Sequence, residues 1–373
     1  MSRRVVIVGG GYGGATVAKA LESEADVVLI DPRDAFVNAV ASLRALVQPD
    51  WAGNMFFPFE TLLSRGTMLR DRAVSVDPGG VTLASGQRVE ADYLVLATGS
   101  SYPYPAKPEA ESIDAALDGL RRTHKELAGA ERVLILGAGP VGLELAGEIT
   151  AVWPHKQVTI VDPAERLLPD YQPELRDDLY RQLEELDIRL RLGTSLTALP
   201  ATGVGRAETF TVTTTGGDRI TADILFRAFG VRANSAYLAD GRLTTLTARG
   251  QVPVTETLHV RGHDHVYAIG DLTDVAEDKR AAFATEHAEV VAANIRAQLN
   301  GERPTATYQP QAHPMILLPL GPRGGVGQMS TPDGPVVLPA ATVAEYKGTD
   351  LLTGHFVELF GPTAAGATVP EAG

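Results

Sequence analysis

The sequence predicts an α/β protein in which one doubly wound parallel-sheet domain is inserted into another, followed by a small C-terminal α+β domain. Two observations predict it. A strand, glycine turn, helix, second strand and terminal acid occur in that order twice. Strands that suit the first copy also return after the second copy has ended. A chain of 373 residues suits two or three domains. With 44% hydrophobic and 21% charged residues it can bury a substantial core.

In the first copy, Arg4 to Val8 is a short β-branched run that reads as a strand buried on both faces. It enters Gly9-Gly10-Gly11-Tyr12-Gly13-Gly14, a G-x-G-x-x-G in which Gly9, Gly11 and Gly14 hold the fixed places. Ala15 to Leu21 reads as a helix, and Val27 to Ile30 as a strand that ends in Asp31. Gly9 permits a tight turn, Gly11 lets the backbone approach a pyrophosphate, and Gly14 brings helix and strand close. The helix N-terminus stabilises phosphate charge, and Asp31 can accept from a ribose hydroxyl. Tyr12 and Gly13 complete the loop.

The second copy has a strand over Arg132 to Leu136 and the turn Gly137-Ala138-Gly139-Pro140-Val141-Gly142. A helix over Leu143 to Thr150 and a strand over Val158 to Val161 follow, and that strand ends in Asp162. One G-x-G-x-x-G is weak evidence; two with complete surroundings are strong, and they imply two Rossmann-like dinucleotide-binding domains. Ala91 to Leu96 reads as a strand ending in Ala97-Thr98-Gly99, and His265 to Ile269 as one ending in Gly270-Asp271. A glycine and a carboxylate at a strand end suit a cofactor with a ribityl chain and a pyrophosphate. The outer, split domain is therefore expected to bind FAD at residues 1–107 and 236–303. The inserted domain, 108–235, would bind NADH, with NADPH the alternative, and 304–373 would form the C-terminal domain.

Composition narrows the reading. The formal charge of -13 opposes nucleic acid as a partner. The chain has no cysteine, which excludes structural disulfides and thiolate metal sites, and no His/carboxylate spacing predicts a metal. No apolar run reaches spanning length. The N-terminus lacks a signal-peptide core, and Ser2 stands where myristoylation needs glycine. A cytoplasmic protein is expected, at most peripheral to the inner face of the membrane.

These motifs resemble the two-dinucleotide-domain flavoprotein superfamily. The chain is most similar to its apoptosis-inducing-factor-like NAD(P)H:quinone oxidoreductases, the ferroptosis-suppressor group, which are relatives of type II NADH dehydrogenases. Besides the paired glycine turns, the resemblance rests on Asp34-Ala35-Phe36 through Ser42-Leu43-Arg44-Ala45, Tyr93 to Ser100, Val266 to Asp271, His287 to Ile295 and Gly324 to Gln328. It implies noncovalent FAD, a nicotinamide donor, a small-molecule quinone acceptor and a C-terminal segment beside the flavin. It also implies that Arg44 contacts the FAD pyrophosphate, that the backbone at Val74 meets the adenine, and that Asp271 holds the ribityl or phosphate region. Glu144 would lie where the nicotinamide meets the flavin, and Lys279 and His287 would act near the ring. Glu148 reads as structural. Departures from animal members are the missing myristoylation site, Ala228-Phe229-Gly230 in place of a Thr-Gly strand end, and the acid at Asp162. Asp162 predicts NADH over NADPH, with Arg166 the one nearby guanidinium for a 2′-phosphate.

Without cysteine, dithiol, sulfenic-acid and persulfide chemistry cannot operate. The alternatives are a ferredoxin- or rubredoxin-type reductase and a slow flavin redox sensor with protein partners. The apolar set Leu351, Leu352, Phe356, Leu359 and Phe360 is expected to cover the quinone pocket rather than rest on a membrane. Residues from Gly361 onward read as a flexible tail.

Overall fold

The computed structural model describes residues 3–366. The reading of Ser2 and the last seven residues of the expected tail lie outside them. The chain runs through β1 (Arg4–Val8), α1 (Tyr12–Leu21), β2 (Asp26–Ile30), β3 (Thr67–Leu69) and β4 (Tyr93–Leu96). It then forms β5 (Arg132–Leu136), α2 (Pro140–Val152), β6 (Gln157–Val161), β7 (Arg189–Arg191) and β8 (Ile224–Arg227). β9 (Val266–Ala268) and the long helix α3 (Ala281–Leu299) follow.

Two parallel sheets result. The first has the order β9-β4-β1-β2-β3, so its last strand is supplied after the whole of the second sheet has been formed in sequence. The second has the order β7-β6-β5-β8. β1 and β5 are central in each, and Val5, Val6, Ile7, Leu134 and Ile135 are fully buried. Burial on both faces is why these strands are unbroken apolar runs without alternation. Both helices begin inside the glycine turn itself, at Tyr12 and Pro140, earlier than the first apolar residues suggest. Proline suits that second start, since the first helical N–H has no partner within the helix.

The C-terminal region is a three-stranded antiparallel meander, β10 (Ile316–Leu320), β11 (Gly324–Thr331) and β12 (Gly334–Leu338), followed by short helical turns and α4 (Thr353–Phe360). It packs on α2 at Gly147, where a Cβ would stand 2.6 Å from the Leu320 Cα. Buried Gln328 accepts from the Gln172 N–H at 2.9 Å, and the Gln182 side chain accepts from the Gly325 N–H at 2.7 Å. The Gly-Val-Gly-Gln stretch is thus a seam between the meander and the inserted domain.

α4 turns the other way. Phe356 and Phe360 are buried against Phe36 and Phe57 of the first domain, with the Phe36 and Phe360 rings 4.8 Å apart. Leu351 is buried too, and Leu352 and Leu359 are partly buried against the core. The expected flexible tail needs correction over its described part. Thr363 is buried, its hydroxyl donates to the Asn54 side chain, and Ala364 N–H donates to Phe56 C=O at 2.8 Å. No described helix is long and apolar enough to cross a membrane.

Candidate active site

Each glycine turn is fixed by the strand beside it. Gly9 and Gly137 have φ of 105° and 109°, in the region that favours glycine. A Cβ on Gly9 would lie 2.4 Å from the Ala97 oxygen, and one on Gly137 would lie 2.7 Å from the Ala228 oxygen. Gly14 and Gly142 are tighter still, because a Cβ there would meet the oxygen of Gly9 or Gly137 at 1.8 Å and 1.9 Å. Gly11 and Gly139 are different: a Cβ there meets nothing within 4 Å. Bare backbone facing open space at a helix start is the form of a phosphate cradle. Gly13 serves packing, with a Cβ at 2.7 Å from Ile269 Cδ1 and 2.9 Å from the Ala284 oxygen of α3.

The acids close each turn. Asp31, 3% exposed, accepts from the N–H groups of Gly10 and Arg33 and from two guanidinium nitrogens of Arg33. Burial opposes its ionisation, but the charge and hydrogen bonds of Arg33 outweigh burial and hold the carboxyl below its usual range. Asp162 accepts from Ala138 N–H at 2.6 Å and Ala164 N–H at 2.7 Å, and no guanidinium bonds it.

Around the first turn, Tyr12 donates to Asn38 Oδ1 and accepts from Val40 N–H, and its hydroxyl is pushed far up by burial. Thr98 bonds the Asn234 carbonyl and the Tyr237 hydroxyl, and Gly99 has φ of 60°. Ladder pairing between Ala73–Asp77 and Gly80–Leu83 steps from Ala73/Leu83 to Ser75/Thr82. Val74 is therefore the extra residue of a bulge, exposed and without a partner in the ladder register. The Asp271 carboxylate meets the Ser100 hydroxyl and lies 3.5 Å from Lys107 Nζ, which also donates to the Ser100 carbonyl at 2.7 Å. Burial pulls the Lys107 ammonium down. Ser100 closes the Tyr93 to Ser100 stretch, but Lys107 did not stand out in sequence, although it lies in the Pro-rich stretch directly after the Ala-Thr-Gly strand end. Gly230 has φ of 103° beyond β8, and Phe229 beside it is 49% exposed.

Glu144 has a partner that sequence reasoning missed. Lys347 Nζ lies 2.7 Å from Glu144 Oε1 and also donates to the Leu317 carbonyl. Both side chains are nearly buried. Burial raises the Glu144 carboxyl, and the Lys347 charge opposes that rise. The two residues are 203 apart in sequence, so no local pattern announces the pair.

Three candidate residues have partners within the protein. Arg44 is buried and donates from Nε and Nη2 to Glu148 and from Nη1 to the Thr349 carbonyl at 2.8 Å. It joins the first domain, α2 and the C-terminal segment. Glu148 is its structural counterpart. Lys279 donates to the Thr273 and Val275 carbonyls and closes its own loop, with burial pulling its ammonium down. His287 is fully buried; its Nδ1 accepts from Gly270 N–H at 3.0 Å, and Nε2 lies 3.1 Å from Glu277 Oε1. It is an interior histidine whose Nε2 lies near the Glu277 carboxylate without making a hydrogen bond to it.

The sequence matches the family described as pyridine nucleotide-disulphide oxidoreductase over residues 3–293. The chain belongs to that family. It is an FAD-dependent oxidoreductase that uses NAD(P)H. It is 32% identical to ferroptosis suppressor protein 1 of Taeniopygia guttata over 336 residues, covering 88% of this chain and 89% of the relative. It is 30% identical to apoptosis-inducing factor homolog B of Dictyostelium discoideum over 347 residues, covering 88% and 90%. In fold it is similar to the sulfide:quinone oxidoreductase of Aquifex aeolicus, with a TM-score of 0.76 at 16% identity, covering 99% of this chain and 93% of that one. NDH2 from Plasmodium falciparum, solved in complex with NADH, gives 0.72 at 13% identity, covering 96% and 98%. The disulphide in the family's description has no counterpart here, since the chain has no cysteine.

Proposed function

We propose that this oxidoreductase carries electrons from NADH to a quinone. Residues 1–107 and 236–303 would hold FAD, 108–235 NADH, and 304–373 would complete the site from the C-terminal side. The observation that carries the reading is the Glu144–Lys347 pair. It couples the helix of the second glycine turn to the C-terminal segment, at the place where a nicotinamide on that turn would reach a flavin on the first. The open glycines Gly11 and Gly139 fit two phosphate-bearing cofactors. FAD, when bound, supplies the ability to take a hydride and release two electrons.

The chain's own residues supply placement. Gly9 would turn the backbone away from the FAD pyrophosphate; Gly11, Tyr12, Gly13 and Gly14 would surround it at the helix start, Asp31 would receive its ribose, and Asp271 its ribityl hydroxyls. Val74 would meet the adenine, and the Ala97-Thr98-Gly99 strand end would border the cofactor. Gly137, Gly139, Pro140 and Gly142 would seat the NADH pyrophosphate and Asp162 its 2′-hydroxyl, with Gly230 beside the nicotinamide. Lys347 engages Oε1 of Glu144, which leaves Oε2 to accept from the nicotinamide carboxamide and orient the ring. A quinone is favoured as acceptor because the absent dithiol removes thiol acceptors, and the relatives named above include a protein titled as a quinone oxidoreductase.

Anaerobic stopped-flow reduction by NADH, followed by mixing with quinones, a ferredoxin or oxygen, tests this. Quinones should reoxidise the flavin fastest. Faster reoxidation by ferredoxin would replace the quinone reading with a carrier reductase, and slow reoxidation by every acceptor would indicate a redox sensor.

A further inference from the structure

The turn that carries Asp271 is held from below by one lone pair. β9 ends at Ala268, Ile269 N–H still donates to the Leu96 carbonyl, and then Gly270 turns with φ of 67°. Gly270 is buried, so its N–H needs an acceptor. No backbone carbonyl supplies one; His287 Nδ1, from the second turn of α3, does. Because that N–H donates, Nδ1 carries no proton, and the ring's hydrogen sits on Nε2, toward Glu277 Oε1. Glu277 also receives the Tyr308 hydroxyl, and the Tyr308 ring stands edge-on to the imidazole at 4.1 Å. A flipped ring would set Cδ2–H against the Gly270 N–H and leave that buried donor unpaired. The Gly270 carbonyl is held too, by the Thr273 hydroxyl and N–H.

We propose that His287 is a positioning residue for FAD: its unprotonated Nδ1 fixes the Gly270–Asp271 turn and so aims the Asp271 carboxylate at the cofactor's polyol hydroxyls. This rests on the reading of Asp271 as an FAD ligand. The carboxylate is gripped on its other side by Ser100 and Lys107, so both ends of the Gly270–Asp271 unit are set before the cofactor arrives. His287 acts without touching the cofactor.

Two amide substitutions separate the ring's nitrogens. In His287→Asn the side-chain oxygen stands where Nδ1 stands and can accept from Gly270. In His287→Gln the amide reaches the Nε2 position and can satisfy Glu277, but leaves the Gly270 N–H without its acceptor. FAD dissociation constants are measured on apoprotein by flavin fluorescence, with the melting temperature of each apoprotein alongside. The expected result is an Asn variant within about threefold of the parent and a Gln variant weakened tenfold or more, as for an orphaned buried donor, at similar apoprotein melting temperatures. Asn weakened and Gln normal would mean that His287 acts through Glu277. Both normal, or both lost together with folding, would reduce it to a core residue. Each of these three results overturns the proposal. A parent protein that binds no FAD would instead refute the proposed function, and that measurement comes first.

Discussion

In the first glycine turn the hydrogen bond that enters the cradle, Gly9 N–H to the Ile30 carbonyl, is 2.8 Å; in the second, Gly137 N–H to the Val161 carbonyl, it is 2.9 Å. The flanking bonds, Ala97 N–H to Val8 and Ala228 N–H to Leu136, are 2.8 and 2.7 Å. The scaffolds agree to within a tenth or so of an ångström. The acids do not match. Asp31 is closed by a guanidinium through two side-chain bonds, whereas Asp162 is held by two backbone N–H groups alone. The same backbone is thus closed by two acids with different partners, and under the proposed function that difference would separate the FAD turn from the NADH turn.

The largest effects should come from breaking one scaffold at a time. In Gly14→Ala or Gly142→Ala the new methyl meets a carbonyl oxygen far inside contact distance, and overpacking of that kind costs ~3 kcal/mol or more. Gly14→Ala should purify with little flavin and a lowered melting temperature. Gly142→Ala should keep its FAD and lose reduction by NADH. Flavin content and stopped-flow reduction are the readouts, and loss of both functions in both variants would show that the cradles are not independent.

Next is the pair between the cradles. Glu144→Ala should slow reduction by NADH by about a hundredfold through lost orientation, with FAD content unchanged. Lys347→Met tests the sign of the coupling. Burial raises the Glu144 carboxyl and Lys347 restrains it, so removing the ammonium lets it rise further. The acid limb of the reduction-rate profile should then move to higher pH; movement to lower pH would contradict the electrostatic account.

Asp162→Ser should narrow the preference for NADH over NADPH by about tenfold, the scale of one lost charged hydrogen bond, measured as the ratio of kcat/KM values. An unchanged ratio would remove Asp162 from donor choice. The smallest effect at neutral pH belongs to Arg33→Met. Asp31 has a lowered pKa, so its contribution is present above the unfolded value and is lost as pH falls through the folded one. Without Arg33 that loss begins at higher pH. Flavin release during acid titration should therefore start earlier, while content at pH 7 changes little.

What sequence could supply follows the reach of each interaction. Gly9 and Gly14, or Gly137 and Gly142, act within a few residues of one another, and the acids close each turn from one strand away. Those spacings are written directly in the chain, as is the return of the first sheet at Val266. The Lys347–Glu144 and Arg44–Glu148 pairs join residues 203 and 104 apart, and only folding brings them together. Arg44 was read by resemblance as a phosphate ligand, but a carboxylate one turn beyond Glu144 on α2 takes its guanidinium. Lys279 looked like a free cation because two backbone carbonyls leave no mark in sequence. His287 was tied by sequence to the flavin ring; the partner that folding gives it is the Gly270 amide, seventeen residues away.

The placement of Lys347, Leu351 and Phe356 has a consequence for synthesis. A ribosome delivers both glycine cradles before it delivers these residues, and domains fold as they emerge. Until then Glu144 lacks its counter-ion, the Thr349 carbonyl that takes one Arg44 donor does not exist, and Phe36 and Phe57 lack the Phe356 and Phe360 rings that pack on them. A nascent chain that has both nucleotide folds is thus still unfinished at the place where the proposed function has them cooperate. Electron transfer between the cofactors would switch on only with the arrival of the last helix.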